Sequence, residues 1–435
     1  MKKKSTSNLR LLLIALGSAV GLANIWGFPY KFESGGLAFL IFFILFATLF
    51  AVFGLSAELA MGRLVKSGAL SAYEFSFKMA GKGNKKMRFI GYIPLAATFF
   101  VAVGYSAILA YMLKGFIAAL SGNMFKSSAD IWFYSYARKP YKVSIHHAII
   151  ILITILTSLG NTKTFNKIYR YTMPVFFVIL MILAIRVATL PNAYLGYRYM
   201  FRYNPSHLHT KTMLYGMGEA FFSLSLSGAA MVAAGSKISD GQSMVNLSVE
   251  SLVFDTLVGI IASLMIIPAI NVFNIENAGG ASLLFVALPT IFSNIKFGRI
   301  LAIFFYFSIV FAGIVALVDM FAGIVNSAVI KTRKLSKKAV LLILGLAVFL
   351  LGLNLETIDE FTHYMNIMLL HIIPIGASIG AVTWFYILDK DILLEEINKG
   401  ASITYGDRWY KIGKYLYVPV ALIMTILAFV VRFIH

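Results

Sequence analysis

The chain has no cysteine in its 435 residues. That excludes a disulfide framework, a thiolate metal site and a cysteine nucleophile. It is also poor in charge, with Asp, Glu, Lys and Arg making up 13%, against about 25% in soluble domains. Acidic residues are the scarcer kind, 18 against 38 Lys+Arg. No linker, low-complexity stretch or soluble domain is evident. What is abundant is apolar: 60% of residues are hydrophobic and the mean hydropathy is +0.83. A soluble domain cannot bury that much apolar surface, so an ordinary cytosolic enzyme and a disordered chain are excluded. A membrane-embedded protein remains.

The net charge is +20. It lies in short clusters between apolar runs: Lys2, Lys3 and Lys4, then Arg63 to Arg88, then Lys331 to Lys338. Nucleic-acid binding needs a soluble basic face, and no nucleic-acid partner is expected. Clusters of this kind instead hold loops on the cytoplasmic side. The first apolar run, from Leu11, lacks the small-residue end of a cleavable signal.

A spanning helix needs about 20 apolar residues. About eleven segments qualify: 9–30, 37–61, 88–119, 144–159, 166–187, 212–236, 244–273, 298–330, 338–353, 358–388 and 410–434. Polar residues do not alternate with apolar ones, which argues against an outer-membrane barrel. With the N-terminus inside, the inner loops and helix ends hold roughly 25 of the 38 basic residues, as the positive-inside rule expects. Eleven spans then place the C-terminus outside. The prediction is an all-α polytopic protein of the cell membrane, multi-pass, with the lipid bilayer as its surroundings. Two outer loops stand out: the aromatic 188–211 reads as an interfacial loop, and 274–296 as a re-entrant or surface hairpin.

Segments 1 and 6 look broken. The first carries Gly17, Gly21, Asn24, Gly27 and Pro29, and the sixth Ser223, Ser225, Ser227 and Gly228, all mid-span. Unwound backbone in a membrane must be buried in protein or line a cavity. The alternative is close packing of small residues. These are the first segments of two five-helix halves, 9–187 and 212–388, with 410–434 as an extra C-terminal helix. Because five is odd, the second half is inverted. Interrupted helices at matching positions point to a transport site at the repeat interface.

The run Gly17-Ser18-Ala19-Val20-Gly21-Leu22-Ala23-Asn24-Ile25-Trp26, followed by Phe28-Pro29-Tyr30, resembles the first-helix signature of the neurotransmitter:sodium symporters. Glu58-Leu59-Ala60-Met61-Gly62-Arg63, Thr189-Leu190-Pro191, Phe221 to Leu226 and Asp255-Thr256-Leu257-Val258 are similar to later family blocks, in the right order over nearly the whole chain. The last is the form of the bacterial branch. The resemblance implies sodium-coupled uptake of amino acids or related amines by alternating access, with no cofactor and sodium as the coupling ion. It implies a sodium site from the Ala19 carbonyl, Asn24, Ser223 and Asp255, all oxygen donors suited to a hard cation. It also implies a substrate site beside it. Backbone NH groups near Leu22 and Ala23 would take a carboxylate, and the carbonyls of Ala19 and Phe222 with Ser225 would take the amine. Gly21 is the residue of amino-acid carriers in the family, where amine carriers have Asp. Ala97, Val101, Phe222, Gly228, Ala316 and Met320 would line the side-chain pocket. Gly228 and Val101 are smaller than the family's usual residues, so a bulky apolar substrate is expected.

The chain also departs from the family. The outer-gate Arg falls at Gly27, and its acidic partner survives as Asp359. The inner gate is lost near Ser5 and Ile330. The hydroxyls of a second sodium site become Val315 and Ala316, so one sodium per cycle is expected. Two acids are unexpected. Asp319 lies among apolar residues as a possible proton or ion carrier, and Glu219 as a local hydrogen bond, an ion pair or a functional acid. Glu58 is expected to brace the broken helices through backbone NH groups. His146 and His147, at an outer helix end, read as interface residues. No nucleophile–base pair or phosphate loop stands out, so an enzyme is not expected. A non-transporting amino-acid sensor and a proton-coupled transporter are the alternatives, and the oligomeric state is open.

Overall fold

The computed structural model describes residues 23–81, 85–160, 162–275, 281–331 and 336–434. Among these every regular element is a helix, and the chain is an all-α polytopic membrane protein. Eight described helices are long and apolar enough to cross a membrane. The first, Asn24–Val65, joins the later part of segment 1 to segment 2. The sixteen-residue α-helix Ser144–Leu159 and the interrupted segment 6 account for two more of the eleven expected segments. Residues 9–22 of segment 1 lie outside the described residues.

A π-helical turn, Ala23–Gly27, leads into α1 (Phe28–Leu49). The direction changes at Gly36, whose φ of 52° and ψ of −149° suit only glycine. A second π turn leads into α2 (Ser56–Val65), which ends at Lys66 in the left-handed conformation. Then come α3 (Ala69–Met79), α4 (Tyr92–Ser121), α5 (Ser144–Leu159), α6 (Thr162–Ala188) and α7 (Ala193–Phe201). The sixth segment is α8 (Thr210–Ser223) and the short α9 (Ala230–Gly235). After it come α10 (Met244–Val272), α11 (Ala281–Ser293), α12 (Gly298–Lys331) and α13 (Lys337–Gly352). The tenth segment is α14 (Ile358–Ile367) and α15 (Ile373–Val382), joined by a π turn. The chain closes with α16 (Lys390–Asn398), α17 (Asp407–Ile412) and α18 (Val418–Ile434).

Polar caps fix several starts. His209 accepts from the Thr212 NH at 3.2 Å, and Ser243 from the Asn246 NH at 3.3 Å. Each satisfies a donor that the first helical turn leaves open. The longest seams run between α4 and α12 and between α1 and α8. Apolar side chains such as Leu152, Leu156, Ile423 and Ile426 remain exposed, as a lipid-facing surface requires.

Both of the loops expected to lie outside differ from the sequence reading. Within 188–211, α7 packs on α10 rather than lying as a free interfacial loop. Within 274–296, α11 is a single helix whose residues Leu284 to Leu288 are buried. A run too short to span is here covered by protein, which an apolar sequence alone does not distinguish from a surface hairpin. Residues 276–280 of that loop lie outside the described residues.

Candidate functional site

Helix α8 ends at Ser223, and the chain does not resume helix until Ala230. The break is held by local bonds. The Ser225 NH donates to the Phe222 carbonyl and the Leu226 NH to the Phe221 carbonyl, each at 2.9 Å. Ser225 (φ 52°) and Gly228 (φ 78°) take left-handed conformations. Glu58 of α2 accepts the Gly228 NH at 2.6 Å, while Tyr73 of α3 donates its hydroxyl to the Gly228 carbonyl at 3.0 Å. Thr98 of α4 lies 3.3 Å from Ser227, hydroxyl to hydroxyl. Polar groups freed by the break thus find partners inside the protein, as a membrane interior demands.

Opposite this break stands the end of segment 1. Asn24 is buried, and its amide donates to the Asp255 carboxylate Oδ1 at 2.7 Å and to the Asp255 carbonyl at 3.1 Å. Asp255 is 2% exposed, on α10. The Ser223 hydroxyl faces the Asp255 carboxylate, yet the Asp255 Oδ2 and the Ser223 Oγ are buried with no hydrogen bond of normal geometry among the described residues. A buried carboxylate oxygen and a buried hydroxyl left open fit a small hard cation, which takes oxygen donors. Ala19, Gly21 and Leu22 lie outside the described residues, and Ala23 opens the π-helical turn.

The expected pocket residues fall into two groups. Ala97, Val101 and Phe222 are buried, and Ser225, Ala316 and Met320 are half-buried. Ala97 and Val101 flank Thr98, which meets the segment 6 break. At Gly228, however, the space a larger side chain would have left is already filled. A Cβ there would stand 2.3 Å from the Gly376 carbonyl and 2.9 Å from the Tyr73 hydroxyl. The expected gain of volume at Gly228 is therefore corrected. Its glycine serves the left-handed turn and the close approach of the Gly376 carbonyl of α15.

Asp319 is not in the buried setting the sequence suggested. Its side chain is 59% exposed and pairs with Lys237 at 3.0 Å. The lysine comes from the loop after α9, which an apolar α12 gave no reason to place there. His147 is also corrected: it is fully buried, 2.9 Å from the Ser106 hydroxyl and 3.5 Å from the Glu356 carboxylate. A polar residue at a helix end looks interfacial until a partner from a distant loop covers it.

The most consequential residue missed by sequence reasoning is Lys31. Its ammonium pairs with Glu219, both fully buried, across the α1–α8 seam. A lone lysine one turn beyond Gly27 in an apolar run was the available signal, because a charge in a span needs a partner.

Comparison with known proteins fits this arrangement. The profile of the sodium:neurotransmitter symporter family matches residues 2–136 and 137–435. The chain belongs to that family. The symporter is 27% identical to the uncharacterized sodium-dependent transporter YhdH of Bacillus subtilis (strain 168), covering 97% of this chain and 96% of the relative. It is 24% identical to an uncharacterized sodium-dependent transporter of Haemophilus influenzae, covering 97% of each. Among solved structures it resembles that of MhsT in complex with L-phenylalanine, with a TM-score of 0.87 and 27% identity over 97% of this chain and 98% of that one. The family is one of transporters rather than enzymes, and the symporter shares the fold of MhsT along its length.

Proposed function

We propose that this protein takes up amino acids with a bulky apolar side chain, driven by sodium, by alternating access around the break in segments 1 and 6. The observation that carries the reading is the buried Asn24–Asp255 pair beside two open oxygens, Asp255 Oδ2 and Ser223 Oγ. Sodium would add to this set and offset the Asp255 charge, which is costly in a membrane without a counter-ion. Val101, small and buried beside the break, and the phenylalanine bound by MhsT support a large apolar side chain. The repeats are proposed at 9–187 and 212–388, with 410–434 outside them. The N-terminus is proposed inside and the C-terminus outside, from the basic inner loops. One sodium per cycle is proposed, since Val315 and Ala316 offer no hydroxyl. Asp319, paired with Lys237, stays a candidate for proton participation, and Asp319→Asn with an imposed pH gradient tests it.

The deciding experiment is uptake of labelled amino acids into proteoliposomes under an imposed sodium gradient. Leucine, methionine or an aromatic amino acid should accumulate ahead of glycine, and Asp255→Asn should lose the sodium dependence. No sodium-driven uptake across a full amino-acid panel would sink the proposal.

A further inference from the structure

Asn24, Gly27 and Lys31 are spaced by three and four residues, so they stack along one face of the helix. Glu219 and Ser223 are spaced by four on α8 and stack in the same way. The two faces meet. A Cβ at Gly27 would stand 2.9 Å from Glu219 Oε2 and 3.2 Å from Oε1, so the carboxylate occupies the space that glycine leaves. Lys31 reaches that carboxylate from one turn further out. The result is two layers. An inner layer holds Asn24, Ser223 and Asp255, and an outer layer holds Lys31 and Glu219.

The charges of the two layers do not balance. Glu58, the third buried acid near the break, is answered by the Gly228 NH. Glu219 has the Lys31 ammonium, and its Oε1 accepts no hydrogen bond among the described residues. Asp255 has the Asn24 amide, which is neutral. Within the two layers, which Glu58 does not join, one negative charge is thus left without a cation. Lys31 is 2% exposed and its partner is fully buried. Removing one member of a buried ion pair leaves the other as an uncompensated charge away from water.

We propose that Lys31 is a built-in counter-cation for Glu219, standing one layer outside the Asn24–Asp255 site, so that this site presents a single unmatched carboxylate and takes one coupling cation. This rests on the sodium-coupled reading above. Lys31 takes the place that a second mobile cation would otherwise fill, and because it is tethered it does not cross the membrane. Gly27 is part of the device, since any side chain there would push Glu219 off its seat.

The test is sodium-dependent binding of labelled substrate to the purified full-length protein, in wild type, Glu219→Gln, Lys31→Gln and the double variant. In Glu219→Gln the freed ammonium competes for Asp255, and the sodium midpoint should rise at least about tenfold, equal to about 1.4 kcal/mol. In Lys31→Gln a second carboxylate lacks its cation, and the sodium Hill coefficient should rise from about one towards about two. The double variant replaces the ion pair with two amides. It should fold and return the midpoint to within about threefold of wild type. A Glu219→Gln midpoint within about twofold of wild type overturns the inference. So does a Lys31→Gln Hill coefficient unchanged from wild type. A double variant that fails to purify, or stays as impaired as Glu219→Gln, overturns it too, because the loss would then be one of packing. Wild-type binding that ignores sodium sinks the underlying functional reading instead.

Discussion

Two buried ion pairs brace this protein at opposite depths, and they are built differently. At the end of α2, the Arg63 Nε donates to Glu396 Oε1 at 2.5 Å and Nη1 to the Gln242 carbonyl at 2.6 Å and the Lys399 carbonyl at 3.4 Å, while Nη2 reaches the Glu396 carbonyl. The second carboxylate oxygen takes Lys399 at 2.7 Å, and that hydrogen bond holds the Lys399 ammonium above its ordinary pKa. Both oxygens of Glu396 and all three nitrogens of Arg63 are thus engaged. In the α1–α8 seam, Lys31 meets Glu219 alone, and Glu219 Oε1 has no hydrogen bond among the described residues. A planar guanidinium suits a many-partner clamp, whereas an ammonium is a compact point charge. A fully satisfied network rigidifies, and a partly satisfied one is costly unless it serves something else. The Arg63 cluster therefore reads as a fixed joint between α2, the loop before α10 and α16. The Lys31 pair reads as part of the working centre.

This contrast breaks first, and hardest, at Arg63. Arg63→Met leaves the Glu396 carboxylate buried beside Lys399 alone and opens three carbonyls, those of Gln242, Glu396 and Lys399, so the loss should be about 3–5 kcal/mol. The expected result is a large fall in melting temperature in detergent, or failure to recover folded protein. If Arg63→Met melts within a degree or two of wild type, the joint is not structural and the comparison fails. A smaller effect is expected at the break itself. Tyr73→Phe removes only the bond to the Gly228 carbonyl, worth about 0.5–1.5 kcal/mol. Its melt should shift slightly. Maximal uptake should change more than stability does, because the carbonyl lies in the turn that joins α8 to α9.

The sequence made the helices legible because a membrane sets a length that apolar runs either reach or miss. The broken sixth segment was legible because Ser223, Ser225, Ser227 and Gly228 sit where apolar residues are otherwise the rule. Asn24 and Asp255 were placed together by family resemblance, and the structure brings them into contact. The long-range pairs were not legible. Lys31 and Glu219 are 188 residues apart, and Arg63 and Glu396 are 333 apart. Each residue looks solitary in its own run, and periodicity carries no information about what faces it across a seam. His147 and Gly228 were misread for a related reason. A histidine at a helix end does not reveal that Glu356 covers it, and a glycine does not reveal that Tyr73 fills the room it leaves.

The smallest effect is expected one turn from Arg63, where the contrast is between buried and exposed. Lys66 pairs with Asp240 at 3.3 Å, with side chains 54% and 69% exposed, and donates to the Ile238 carbonyl at 3.1 Å. Exposed pairs are worth about 0–1 kcal/mol and weaken further with salt. Lys66 also carries a left-handed φ of 49° at the end of α2, which costs a residue with a Cβ about 1–2 kcal/mol. Two substitutions separate these contributions. Lys66→Ala keeps the Cβ and loses the pair, so its melting temperature should fall slightly, and less so in high salt. Lys66→Gly loses the pair but relieves the left-handed backbone, so it should melt at or above wild type. The order expected is therefore Gly, then wild type, then Ala. If Lys66→Ala were as damaging as Arg63→Met, burial would not be what separates the two cations, and the clamp would extend to the surface of the helix end.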